Sequence, residues 1–187
     1  MLIGHKIELK PITADRYALC AEWMSDPSYM GNYYNIFPET NETIHELVES
    51  SNKGGGGAFF IWDKERKEPV GTIGYFNPFT FSPTFSGLEI WYQVHQNHRG
   101  KRIATQAASL LINHLFNAIR PPINRIQATV VMGNEASRRV LEHSGMNEEG
   151  MMRGIWFLHG EYHDEHLYSV LRSEWGGEKN YRINHEF

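Results

Sequence analysis

The stretch that most constrains this chain is residues 96–105, QNHRGKRIAT, which close an alternating apolar run (LEIWYQV, 88–94) and open a long amphipathic one at Ile103. A switch of hydrophobic period from about 2 to about 3.6 across a glycine marks a strand, a turn and a helix. Such a turn leaves the helix's first N–H groups without intrahelical partners, and here Arg99, Lys101 and Arg102 surround Gly100 with positive charge. Amide donors and cations together suit a phosphate group. Cations are disfavoured at a helix N-terminus, whose dipole is already positive, so three of them there point to an external anion. The other reading is a basic first turn that only solvates itself.

Composition narrows the partners. A net charge of −4 over 187 residues argues against a nucleic-acid binder, which needs a basic excess to displace counterions. The basic cluster is therefore local. With 41% hydrophobic and 21% charged residues, this length supports one well-formed core, expected over residues 1–175, followed by a tail at 176–187 without apolar periodicity. The N-terminus MLIGHKIELKPIT has no basic region ahead of a sustained apolar segment. No apolar run approaches the ~20 residues that cross a bilayer, so no membrane association and a cytoplasmic location are expected. The one cysteine, Cys20, sits in the apolar helical setting YALCAEW, which suits a packed thiol better than a nucleophile.

Residues 6–11 alternate as a strand, and Thr13 is placed to cap a helix reaching about Met24. Residues 26–40 are aromatic and turn-rich, and a helix over roughly 39–51 follows with Ile44, Leu47 and Val48 on one face. Four glycines at 54–57 lead into strands at 58–63 and 69–75 joined by the charged turn KERKE; a long loop, NPFTFSPTFSG, then precedes the strand at 88–94. A helix is expected over 103–118, stopped by Pro121 and Pro122, then a strand at 125–132. Asn134 caps a helix closed by Gly145, with Ala136, Val140 and Leu141 turned inward. Two last strands, 146–158 and 162–171, turn at His159-Gly160. Strand, helix, strand, helix, strand indicates an α/β fold.

In such folds ligands collect beyond the carboxyl ends of strands, and GNEAS at 133–137 falls there, so Asn134 and Ser137 face the same cleft as the basic turn. Taken together, the strand 88–94 with Glu89, RGKRIAT at 99–105, GNEAS, the HSGM that ends its helix, and FLHGEYHDEHLYSVL at 157–171 resemble the GNAT N-acetyltransferase superfamily, in the branch of the RimJ/RimL-type ribosomal-protein N-acetyltransferases. The resemblance implies an α/β (α+β) GNAT fold, with a mixed, mostly antiparallel sheet of about seven strands flanked by about four helices. It also implies acetyl-CoA as cosubstrate and no metal. The pyrophosphate is expected on the backbone amides of Arg99, Gly100, Lys101, Arg102, Ile103, Ala104 and Thr105, with the pantetheine arm laid strand-like along Tyr92, Gln93 and Val94. Asn134 and Ser137 complete that implied site, Asn134 orienting the CoA arm, capping its helix, or both. One departure stands out, because the superfamily pattern prefers glycine where this chain has Arg102.

Acetyl transfer to a primary amine needs a neutral amine, a polarised thioester carbonyl and a proton for the departing thiolate; with a pKa of ~10.4, an alkylamine is almost wholly protonated near neutrality. Glu89 matches a position where relatives carry a catalytic or water-holding carboxylate, the other reading being a structural carboxylate beside the cleft. Ser137 is the implied proton donor, since Leu141 stands where many members carry a tyrosine. Trp156 stands where some ribosomal-protein acetylating relatives have a glutamate, which leaves the acceptor open between a protein N-terminus and a small amine. His163 and Asp164 match a His-Asp pair of this branch, read as structural at least as readily as catalytic. His159, His163 and His166, with Glu161, Asp164 and Glu165 nearby, invite a metal reading, but strand alternation turns 163 and 166 to opposite faces. The aromatic segments 29–37 and 76–85 are where an amine would be read. A monomer or homodimer acting by direct attack in a ternary complex is expected, and the rival is a GNAT-fold module that binds a CoA ester or an amine without turnover.

Overall fold

The computed structural model describes residues 1–78, 86–119 and 122–176. Among them run β1 (Leu2–Ile3), β2 (Ile7–Pro11), α1 (Tyr17–Met24), α2 (Pro27–Met30), α3 (Asn41–Lys53), β3 (Gly57–Asp63), β4 (Glu68–Phe76) and β5 (Gly87–Val94). Then follow α4 (Ile103–Ala118), β6 (Arg125–Val131), α5 (Glu135–His143), β7 (Asn147–Leu158) and β8 (Glu161–Leu171). The strands form one sheet in the order β1-β2-β3-β4-β5-β6-β8-β7. The expected count was about seven strands and four helices; the additions are the two-residue β1 and the four-residue α2, both too short to carry a period. Residues 79–85 of the long loop, Pro121 and residues 177–187 of the expected tail lie outside the described residues.

Every neighbouring pair is antiparallel except β5 and β6, which run parallel because α4 carries the chain back across the sheet. Their pairing is short: Gly87 faces Arg125, Leu88 faces Ile126 and Glu89 faces Gln127. Beyond Glu89 the two strands part, β5 staying with β4 as far as Val94 and β6 staying with β8 as far as Val131. A wedge therefore opens inside the sheet.

Strand alternation separates two cores. Phe60 and Ile61 are neighbours in β3, and both are buried, but on opposite faces. Ile61 joins Leu9, Ile73 and Ile126 beneath Ala107, Leu111 and Leu115 of α4. Truncating either of those leucines to alanine costs about 2–5 kcal/mol, because the tightly packed site cannot collapse around the hole. Phe60 joins Cys20, Trp23, Tyr29 and Ile44, so the cysteine is a packed thiol, and burial pushes it up to about 12. Helices α1–α3 thus cover one face and α4 with α5 the other.

Several local expectations shift by a residue or two, and three are corrected. Thr13 makes no side-chain cap; a 3-10 turn at Ala14–Arg16 intervenes, and the helix proper starts at Tyr17 because Arg16 leaves helical geometry. Leu47 is 51% exposed, since α3 meets α1 and β3 along a narrow line through Ile44 and Val48. Ala136 is exposed, so on α5 the apolar contact is carried by Leu141, fully buried, and by the partly buried Val140. Asn134 caps α5 as expected, and at α3 Thr40 and Thr43 form a reciprocal box that sequence reasoning did not name. The His159-Gly160 turn takes φ of +54° and +88°, the geometry that matches the right-handed twist of the β7–β8 hairpin.

Candidate acetyl-transfer site

The turn between β5 and α4 is built from two left-handed residues, Gly100 at φ +75° and Arg102 at φ +59°. Arg102 is the N-cap of α4 but offers no side-chain cap, and the helix's first bond runs from the Gln106 N–H to the Arg102 carbonyl at 3.1 Å. The amides of Ile103, Ala104 and Thr105 consequently have no acceptor within the helix. The left-handed backbone gives the physical reason for a glycine preference at 102, where a side chain costs about 1–2 kcal/mol of local strain.

Two of the three cations are committed to the fold. Arg99 donates from Nε to the Val94 carbonyl at 2.9 Å and from its terminal nitrogen to the Ser28 and Tyr29 carbonyls at 3.2 and 2.6 Å. It is a strut between the turn and α2. Lys101 Nζ donates to the Asn97 carbonyl at 3.1 Å. What residues 99–105 offer an anion is therefore a curved run of backbone N–H groups together with the exposed Arg102.

Along β5 the side chains diverge as alternation requires. Tyr92 turns toward α5, its hydroxyl 2.8 Å from Ser137 Oγ and 3.1 Å from the Ser137 carbonyl; burial pushes this phenol well above its ordinary range. Gln93 turns the other way and donates to the Tyr29 and Met30 carbonyls, and Val94 is buried. Their strand edge past Glu89 has no β6 partner, so it is free to pair with an extended ligand. Asn134 Oδ1 accepts from the Ser137 amide at 3.2 Å, so its cap function is real. Leu141 is 0% exposed within the core, whereas the Ser137 hydroxyl lies at the pocket wall beside that of Tyr92.

Glu89 stands at the vertex of the wedge. Arg125 Nε donates to Gln127 Oε1 at 2.9 Å, which obliges the other end of that amide to donate, and Gln127 Nε2 reaches Glu89 Oε2 at 2.9 Å. Burial raises the Glu89 carboxyl above its ordinary value and the charge of Glu165 adds to this, while the Gln127 bond opposes it. A carboxylate so placed is a stronger proton acceptor than one in water.

Further along β6 and β8 lies an open pocket whose walls include Tyr33, Tyr34, Asn134, Ser137, Trp156 and Glu165. The segment after α2 is tied across it: Tyr33 Oη donates to the Gly133 carbonyl at 2.8 Å, Asn35 Nδ2 to the Phe157 carbonyl at 2.9 Å, and His159 Nε2 lies 3.0 Å from the Asn32 carbonyl. Of the aromatic stretch 29–37, Tyr33 and Tyr34 reach the pocket, whereas Tyr29 is core. Sequence reasoning names Glu165 only as a neighbour of the histidines in the metal reading, not as part of this pocket. The alternation of β8 does not mark it, because both faces are buried there, Glu165 and Ser169 on one and Tyr168 and Val170 on the other.

The histidines do not converge. His166 pairs with Glu148 at 2.8 Å, His159 holds Asn32, and Asp164 accepts from the Gly154 amide at 2.8 Å, a structural bond. Among the described residues no group of three or more metal-ligating side chains comes together. No helix among them is long and apolar enough to cross a membrane.

The left-handed amide turn at the start of α4 and the carboxylate at the vertex of the parting strands both adjoin β5. The Acetyltransferase (GNAT) domain profile matches residues 6–147, and the chain belongs to that family. It is 32% identical over 178 residues to an uncharacterized N-acetyltransferase, p20, of Bacillus licheniformis, covering 92% of this chain and 93% of the relative. It is 24% identical over 149 residues to the ribosomal-protein-serine acetyltransferase of Escherichia coli, covering 80% and 79% of the two chains. Its fold matches the spermidine N-acetyltransferase of Vibrio cholerae in complex with CoA and spermine, with a TM-score of 0.77, 17% identity and coverage of 91% and 98%. The chain is an acetyl-CoA-dependent N-acetyltransferase acting on amines.

Proposed function

We propose that the chain acetylates a primary amine, of a protein N-terminus or a small molecule, by direct attack on acetyl-CoA within one ternary complex. The backbone amides of residues 99–105 hold the pyrophosphate. The open edge of β5 at Tyr92, Gln93 and Val94 pairs with the pantetheine arm and leads the thioester to the vertex of the wedge. Asn134, occupied as a helix cap, contributes by fixing Ser137 at the cleft wall.

Glu89, directly or through a water, takes the proton from the acceptor's ammonium, and the free amine then attacks the thioester carbonyl carbon. As the carbon–sulfur bond breaks, Ser137 Oγ gives its proton to the departing thiolate, and the second proton that the attacking nitrogen sheds returns through solvent to Ser137, leaving the neutral amide and the free thiol. Tyr92, kept protonated by its burial and hydrogen-bonded to Ser137, holds that hydroxyl in place. The reading is carried by one observation: β5 and β6 part immediately after Glu89, whose carboxyl is held at the vertex through Gln127. A cytosolic location accords with acetyl-CoA as the donor.

Thiol release from acetyl-CoA with a panel of peptides and amines tests it. Glu89→Gln keeps the shape and removes the base, so kcat is expected to fall roughly 10²–10³-fold with CoA affinity retained. In the wild type, kcat/KM declines as pH falls through the raised Glu89 pKa, because the protonated acid accepts nothing; Glu89→Gln removes this acidic limb. An unchanged kcat and profile in the variant would overturn the assignment.

A further inference from the structure

Glu165 is 5% exposed, yet no cation among the described residues is paired with it. A carboxylate is rarely buried this far unless a charge or several donors compensate it. Its one protein donor is the Trp156 indole N–H, which binds Oε2 at 2.5 Å, and Oε1 has no donor among the described residues. The side chain lines the same pocket as Ser137, Tyr34 and Trp156. Tyr34 lies close enough for the Glu165 charge, after burial, to raise its phenol. The pocket thus presents an incompletely paired carboxylate together with the Tyr34 and Trp156 rings, a combination that suits an alkylammonium, with the rings favouring a cation and the carboxylate neutralising it.

We propose that Glu165, oriented by the Trp156 indole, is the docking group for the acceptor's ammonium, and that this chain therefore selects amines that arrive charged. The inference rests on the acetyl-transfer reading of the cleft. Glu165 receives the cation in the pocket, and Glu89 at the vertex takes the proton. Two carboxylates divide the work. Trp156 is a positioning residue whose role is to aim Oε2 and leave Oε1 facing the ligand.

Binding separates this from the acetyl-transfer reading, since it needs no turnover. The Trp156 indole N–H resonance, assigned by its loss in Trp156→Phe, is followed while the CoA-saturated protein is titrated with n-butylammonium, butyltrimethylammonium or uncharged n-pentanol. Expected are saturable shifts with both cations and none with pentanol. Glu165→Gln, whose amide oxygen still accepts the indole proton, weakens both cations roughly tenfold or more, the loss expected for one charge-assisted contact. Its CoA affinity and thermal midpoint stay at the wild-type values. Trp156→Phe, followed by the Tyr34 ring resonances, weakens the cations severalfold. Cation affinity unchanged in Glu165→Gln, pentanol binding as well as the cations, or no saturable shift in the wild type would each overturn the proposal, whatever the outcome of the Glu89 kinetics.

Discussion

The two walls of the cleft are built by different means. On the wall proposed to hold the acyl donor, the bonds that shape the turn reach a few residues along the chain: Arg99 to Val94, Lys101 to Asn97, Asn97 to His95. On the wall proposed to take the acceptor amine they join distant segments: Tyr33 with Gly133, Asn35 with Phe157, His159 with Asn32. The turn is shaped within its own stretch of chain, whereas the opposite wall exists only once segments a hundred or more residues apart have met. The walls meet at Arg99, whose terminal nitrogen holds the Ser28 and Tyr29 carbonyls next to the acceptor segment.

Of the changes at the two walls, cutting that junction is expected to cost the most stability. Arg99→Ala leaves three carbonyls without their charged donor, and a loss of about 2–4 kcal/mol is expected in denaturant unfolding, together with weaker CoA binding as the turn loosens. A variant that unfolds like the wild type would mean the walls are independent even here.

A smaller effect tests that independence from the acceptor side. Tyr33→Phe removes one bond to the Gly133 carbonyl, worth about 1 kcal/mol, so the amine KM is expected to rise severalfold while CoA affinity stays constant. If titration calorimetry showed CoA affinity falling instead, the segment after α2 would belong to the donor wall.

The same contrast decides what was legible. The turn at 96–105, the Asn134 cap and the hairpin turn at 159–160 are short-range chemistry, readable from period, glycine and capping residues. Glu165 and the cover provided by Tyr33 and Asn35 depend on register between strands and on partners about a hundred residues away, and no local pattern encodes that. The charge on Arg99 was visible, but its direction was not. A guanidinium read as anion-facing instead braces the backbone, because the Val94, Ser28 and Tyr29 carbonyls converge on it only in the folded chain.

The smallest effect concerns the left-handed N-cap. Arg102→Gly relieves the strained backbone at φ +59° but adds freedom to the unfolded chain, so stability should rise by no more than ~1 kcal/mol. CoA affinity should hold within severalfold, since the amide at 102 remains. A tenfold loss would give the Arg102 side chain a direct part in holding phosphate.

The donor wall itself is tested most directly at Gly100, where an added Cβ meets no atom within 4 Å and the backbone is left-handed. Gly100→Ala and Gly100→Glu share that backbone strain and differ in bulk and negative charge beside the amide cradle. Calorimetric titration of CoA should show the alanine variant binding within severalfold of the wild type and the glutamate variant roughly a hundredfold more weakly, by about 2.7 kcal/mol. Equal CoA affinity in the two variants would contradict a phosphate cradle at residues 99–105.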